Sequence, residues 1–213
     1  MKKLWLVVLV CFLLVGCTEI KNLSIDEIVD KVVSSSTKLT NQYRTGYKYY
    51  VPRGLRVDDN EEYNEELSSS NYKYYLYIDA VSYYNKVNEE YKVNTNAYYS
   101  KEIKYKDNTG YLEINVYNDK YLVEMMYNYA KIEVIVDEPD IKEVVLNSIT
   151  ILSSIQYNDQ IINNLMGENI LEFSEVEIDI FTTKKIDSKY IEYDEEYGTS
   201  DEEIDVSDAG LLE

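Results

Sequence analysis

The chain has 213 residues, 45% of them hydrophobic, with a formal net charge of −19 and no histidine. That length and apolar share suit one globular domain with appended segments. The acidic excess argues against a nucleic-acid surface, which needs clustered Lys and Arg. The absence of His removes Ser-His-Asp triads, His-ligated zinc and imidazole bases.

From the N-terminus, Lys2 and Lys3 give a positive start and Leu4 to Val15 an almost unbroken apolar run. Gly16 then sets a small residue before Cys17. With Gly16 the run is roughly 13 residues, short of the roughly 20 that a spanning helix needs. The order of charge, apolar run, small residue and Cys resembles the signal and lipobox of bacterial lipoproteins, here Leu14-Val15-Gly16-Cys17. The resemblance implies cleavage after residue 16 and a diacylglycerol thioether on Cys17. The chain is then anchored to the cell membrane on its extracytoplasmic side. Cys11 would leave with the leader, so no thiol remains for a disulfide or for thiolate chemistry. Residues 1–16 hold Lys2, Lys3 and no acid, so their loss takes the charge from −19 to −21. Residues 17–23 read as a spacer, 24–193 as a single α+β domain, and 194–213 as an acidic, disordered tail.

Ser24 and Glu27 form a capping-box pattern, and Ile25, Ile28, Val29, Val32 and Val33 recur on one helical face that ends near Ser34–Ser36. From Tyr47 the pattern becomes extended, with Pro52-Arg53-Gly54 as punctuation. Acidic Asp58 to Ser70 reads as a connection with a helical turn at Tyr63–Leu67. Tyr72 to Tyr84 reads as the longest strand, with Tyr74, Leu76, Ile78 and Ala80 on one face and Tyr75, Tyr77, Asp79 and Val81 on the other. Asn85 to Asn96 is a polar loop. Ala97–Tyr105 and Tyr111–Tyr117 pair as a hairpin across Asp107-Asn108-Thr109-Gly110. Asn118-Asp119-Lys120 turns into Tyr121–Tyr127, and Ala130–Val136 completes an antiparallel meander. Pro139 opens a helix carrying Ile141, Val144, Val145, Ile149, Leu152 and Ile155, which covers the sheet. Gln160–Met166 adds a helical stretch stopped by Gly167. Val176, Ile178 and Ile180 alternate as an edge strand.

The stretch "EVVLNSITILSSIQYND" after a strand, and the earlier "YKYYVPRG", are similar to the C-terminal helix and opening hairpin of PsbP- and DcrB-like α/β/α sandwiches. The resemblance spans about residues 43–165 and implies an assembly factor, accessory lipoprotein or binding module. It carries over no shared catalytic residue.

No phosphate-cradling loop or nucleophile-elbow motif is present, so the chemistry left is that of carboxylates. Asp79 and Glu124 stand out because each interrupts an apolar strand, although a solvated strand face explains such acids more readily than a catalytic role. Tyr72, Tyr74, Tyr75 and Tyr77, with Tyr83 and Tyr84 beyond them, form a possible ligand surface, since tyrosine faces stack on sugars or pack on proteins. Strand propensity alone also places tyrosines there. The tail acids could hold calcium loosely, but Asp205 to Gly210 lacks the ligand spacing of a calcium loop. No catalytic residue, metal site or cofactor is assigned. The expected function is a non-catalytic binding or accessory module for an envelope protein complex. The alternatives are a wall-glycan binder using the strand tyrosines, and a carboxylate-dependent hydrolase using Asp79 and Glu124.

Overall fold

The computed structural model describes residues 22–35, 39–61, 63–88, 90–169, 176–178 and 183–185. The leader 1–16, Cys17, most of the spacer 17–23 and the tail 194–213 lie outside them. Helix α1 (Ile25–Ser35) opens with the capping box: the Ser24 N–H donates to Glu27 Oε2 (2.7 Å) and the Glu27 N–H to Ser24 Oγ (3.2 Å). Its Ile28, Val29 and Val33 are buried. The chain continues through β1 (Gln42–Arg44), β2 (Tyr47–Tyr49), β3 (Arg56–Glu61), β4 (Asn64–Ser68), β5 (Lys73–Ile78) and α2 (Ala80–Asn85). Then come β6 (Tyr99–Tyr105), β7 (Asn108–Tyr117), β8 (Lys120–Tyr127) and β9 (Ala130–Val136). A 3-10 turn at Glu138–Asp140 leads into α3 (Ile141–Ser154), β10 (Gln156–Tyr157), α4 (Asp159–Asn169), β11 (Val176–Ile178) and β12 (Thr183–Lys185).

The architecture is α+β and antiparallel. Seven strands form one sheet in the order β3-β4-β5-β9-β8-β7-β6, and β1-β2-β10 form a small second sheet. Leu76, Ile132, Met125 and Leu112 stand opposite one another across β5, β9, β8 and β7, all fully or nearly fully buried. That face carries the helices. Tyr74 on β5 accepts from Asn147 Nδ2 of α3 (3.3 Å), and Lys101 on β6 pairs with Asp26 and Asp30 of α1 (2.9 Å each). Among the described residues no helix is long and apolar enough to cross a membrane.

Four local expectations are corrected. Helix α4 continues through Gly167 to Asn169 rather than stopping at that glycine. Asp58–Ser70 is a strand pair, β3 and β4, rather than a connection with a helical turn at Tyr63–Leu67. The Tyr72–Tyr84 strand stops at Ile78. The Asp79 N–H bonds Tyr129 O (2.9 Å) and Asp79 Oδ1 caps the Ser82 N–H (2.7 Å), which starts α2. The β6–β7 turn is Lys106-Asp107, because Tyr105 pairs with Asn108, so Thr109 and Gly110 already belong to β7.

The small sheet is pinned by one buried charge. Glu65 of β4, 3% exposed, accepts from Arg44 Nη2 (2.6 Å), Tyr47 Oη (2.7 Å) and Tyr49 Oη (2.6 Å). Burial, then the Glu65 charge, pushes both phenols above their ordinary value.

Candidate functional site

On the face away from α1 and α3, Tyr75, Glu133, Glu124, Glu113 and Ser100 stand opposite one another on five neighbouring strands. Three carboxyl groups on adjacent strands repel unless they are separately satisfied. Each has its own partners. Lys131 Nζ lies 3.0 Å from Glu133 Oε1, and Tyr111 Oη donates to Glu124 Oε1 at 2.6 Å. Glu113 accepts from Tyr91 Oη on one oxygen, and from Asn94 Nδ2 (3.0 Å) and Asn115 Nδ2 (2.8 Å) on the other.

These bonds tie the 86–98 loop down over the sheet. The Tyr91 ring stacks on Tyr111 at 4.3 Å and 7°. Ser100 Oγ lies 2.7 Å from Tyr91 Oη and accepts the Asn94 N–H at 2.8 Å. Between this loop and the β7–β8 floor runs a cleft of about 420 Å³, within the usual range for small-ligand sites. Its floor is Gly110, Tyr111, Glu124 and Met126. Its walls include Val87, Tyr91, Lys92 and Tyr129.

Tyr129 is held in an unusual backbone conformation. It and Asn128 form the β8–β9 turn with φ of +58° and +55°, a region that costs an aromatic residue about 1–2 kcal/mol. The turn is overdetermined by its partners: Tyr157 Oη donates to Asn128 O (2.9 Å) and Tyr129 O (2.8 Å), and Asn128 Nδ2 donates to Ile155 O (3.0 Å). The Tyr129 ring meets the edge of Tyr83 at 5.5 Å.

The titrations of the carboxyl row diverge. Burial raises the Glu124 pKa above its ordinary value, with Glu133 adding to the rise and the Tyr111 hydrogen bond and Lys131 opposing it. Burial acts on Glu113 in the same sense but is outweighed by the bonds from Tyr91, Asn115 and Asn94, so its pKa falls. The two environments therefore push neighbouring carboxyls in opposite directions. Glu113, however, has its oxygens taken up by three donors beneath Tyr91. Only Glu124 of the row lines the cleft.

The residues singled out in the sequence fall in several places. Glu124 is on the cleft floor, whereas Asp79 is the cap of α2. Tyr74 is 1% exposed in the core beneath α3, and Tyr72 Oη donates to Asp140 Oδ2 (2.6 Å) at the start of that helix. Tyr77 is buried and Tyr75 half-buried on the opposite face. The four tyrosines therefore do not form one surface. Glu113, Tyr91, Tyr111 and Tyr129 went unnoticed in the sequence. The signal available for them was the strict cross-strand register, which places Glu113 beside Glu124 once both hairpin turns are known.

The fold and site define an antiparallel α+β domain with a loop-roofed, mixed polar and aromatic cleft. Among the described residues no three His, Cys, Asp or Glu groups converge as a metal site. Comparison with protein families, with curated proteins and with solved structures found no match.

Proposed function

We propose that this protein is a lipid-anchored, extracytoplasmic binding module of the cell envelope, tethered through Cys17, which takes a ligand into the cleft beneath the 86–98 loop. The observation that carries this reading is the way the carboxyl row is used. Glu113 is committed to holding the loop, which leaves Glu124 as the one row carboxyl facing the cleft. Hydrolysis by paired carboxylates needs two groups fixed over the substrate, and beside Glu124 the cleft offers Glu90, which is exposed on the loop; recognition needs only well-placed polar groups among apolar walls. The accessory-module role implied by PsbP- and DcrB-like sandwiches belongs to the same proposal and agrees with an antiparallel sheet covered by helices.

A wall glycan is the second reading, favoured by the mix of tyrosines, Met126, the carboxyls of Glu90 and Glu124, and Lys92 around one cleft. A photo-crosslinking residue in place of exposed Lys92, in intact cells at native expression, tests both. A discrete protein adduct, weakened by Tyr111→Ala, supports the envelope-complex role, and recovery of wall fragments supports the glycan. Recovery of neither removes the cleft as a binding site. The anchor has its own check, since Cys17→Ala is expected to abolish lipid labelling and leave the precursor uncut.

A further inference from the structure

The long sheet has two ends, and the chain enters the fold at one of them. Asp26, in the first turn of α1, accepts from Tyr99 Oη (3.0 Å) at the start of β6. Tyr99 pairs with Ile114, so the β7–β8 turn at Asn118-Asp119 lies at this same end. The cleft lies at the other end, where β7 begins at Thr109 and Gly110 and where β8 turns into β9 at Tyr129. Six to eight residues of β7 separate the two, roughly 20–25 Å along the strand.

Large apolar side chains gather at the entry end without being covered. Val116 is 66% exposed, Tyr98 50% and Tyr117 38%. The Tyr98 ring packs on Tyr121 at 4.6 Å, and its hydroxyl donates to Glu138 Oε1 (3.3 Å). Amphipathic tyrosines beside an aliphatic residue suit the headgroup layer, where ring bodies bury and hydroxyls stay wet.

We infer that this end, the β7–β8 hairpin tip with Tyr98, rests on the headgroup surface of the bilayer that holds Cys17, so that the cleft opens away from the membrane. The inference rests on the lipid-anchor reading. Five residue steps separate Cys17 from Asn22, where the described fold begins, and they reach at most about 18 Å. A thioether lipid on Cys17 therefore keeps the entry end, rather than the cleft end, beside the interface. Tethering at that range gives the tip a high effective concentration of lipid, so a weak contact suffices. Asp26, Asp119, Asp137 and Glu138 surround the tip. Lys120 pairs with Asp137 (3.3 Å) and Lys101 with Asp26 (2.9 Å), so the surroundings stay acidic on balance and favour apolar contact with neutral headgroups over attraction to anionic ones.

The protein supplies its own clean probe. Trp5 is its one tryptophan and would leave with residues 1–16, so Tyr117→Trp gives the lipidated chain a single tryptophan, at the tip, that can be excited apart from the tyrosines. Purified from membranes and placed in phosphatidylcholine vesicles carrying a shallow spin-labelled lipid, this variant is expected to lose most of its emission. Asp107→Trp, at the opposite turn, is expected to keep its emission. Tyr98→Trp gives a second reading of the tip if the hairpin substitution unfolds. Protein that floats with the vesicles but shows unquenched tip tryptophans, or a quenched Asp107→Trp, overturns the orientation and leaves the anchor standing. Protein that fails to float overturns the anchor and the orientation together.

Discussion

Glu113 and Glu124 are opposite partners in one register, yet their environments move their pKa values in opposite directions, and this has measurable consequences for stability. A carboxyl whose folded pKa is raised contributes stability that is full below its unfolded value of about 4.3 and is lost as pH rises through the folded value. Glu124 is of this kind. The change in Tm caused by Glu124→Gln, read by thermal melts, is therefore expected to be more favourable at pH 7 than at pH 4. Glu113 has the lowered pKa, so its contribution is present above the unfolded value and fades as pH falls. Glu113→Gln is expected to cost more at pH 7 than at pH 3. Glu65 presents a different case, a buried anion holding a half-buried Arg44 and two buried phenols. Removing one partner of such a group costs about 3 kcal/mol or more, so urea denaturation of Glu65→Ala is expected to show a loss of that size. Glu65→Gln, which keeps the side-chain shape and one acceptor oxygen for Tyr49 and Arg44 while its amide N–H can donate to Tyr47 Oη, is expected to lose less. Glu124 could be noticed in the sequence because it breaks an apolar strand. Glu65 could not, because it sits in an acidic run, Glu61 to Glu66, in which nothing local sets it apart from its neighbouring carboxylates.

The meander β6 to β9, α1 and α3 were readable as elements because each carries a full period of apolar residues or a capping signature. The misread pieces lack such marks. Strand β3 has the sequence Arg-Val-Asp-Asp-Asn-Glu, exposed at nearly every position, so it shows neither alternation nor strand propensity. Helix α2 is six residues long, too short for a 3.6-residue period to show, and its tyrosines continue the strand-like composition of β5. The β6–β7 turn was misplaced because Asn-Thr-Gly looks like turn chemistry. Gly110 is needed instead for close strand approach: a Cβ there would stand 2.0 Å from Met126 O and 2.7 Å from Tyr127 Cα. Backbone atoms cannot swing aside as a side chain can, so β7 and β8 would have to part along the cleft floor. Gly110→Ala is expected to destabilise by about 3 kcal/mol, the upper part of the overpacking range, and to reduce amide-exchange protection in both strands.

Across the whole molecule, the order of strands was less readable than their identity. A meander sets β6 to β9 side by side, but β9 also pairs with β5, across a connection holding α2 and the cleft loop. That long-range pairing creates both the continuous sheet and the position of the loop over the carboxyl row, and no local pattern announces it. The cleft was hidden for the same reason, since its floor and roof come from segments separated by the whole of β6. The net charge of −19 adds self-repulsion to this fold. Raising ionic strength from 0.01 to 0.15 M shortens the screening length from about 30 to about 8 Å, and is expected to raise Tm.

One edge strand of the large sheet, β3, has a further consequence for how copies of this chain meet. An open sheet ends in unpaired N–H and C=O groups that invite another chain to add on. Here that border carries Asp58, Asp59, Asn60 and Glu61, and its pairing with β4 slips between Val57 and Asp59. Charge and irregularity together make the border a poor template for a neighbouring copy. Two copies that met at this border would set like charges against each other where sheets otherwise fuse.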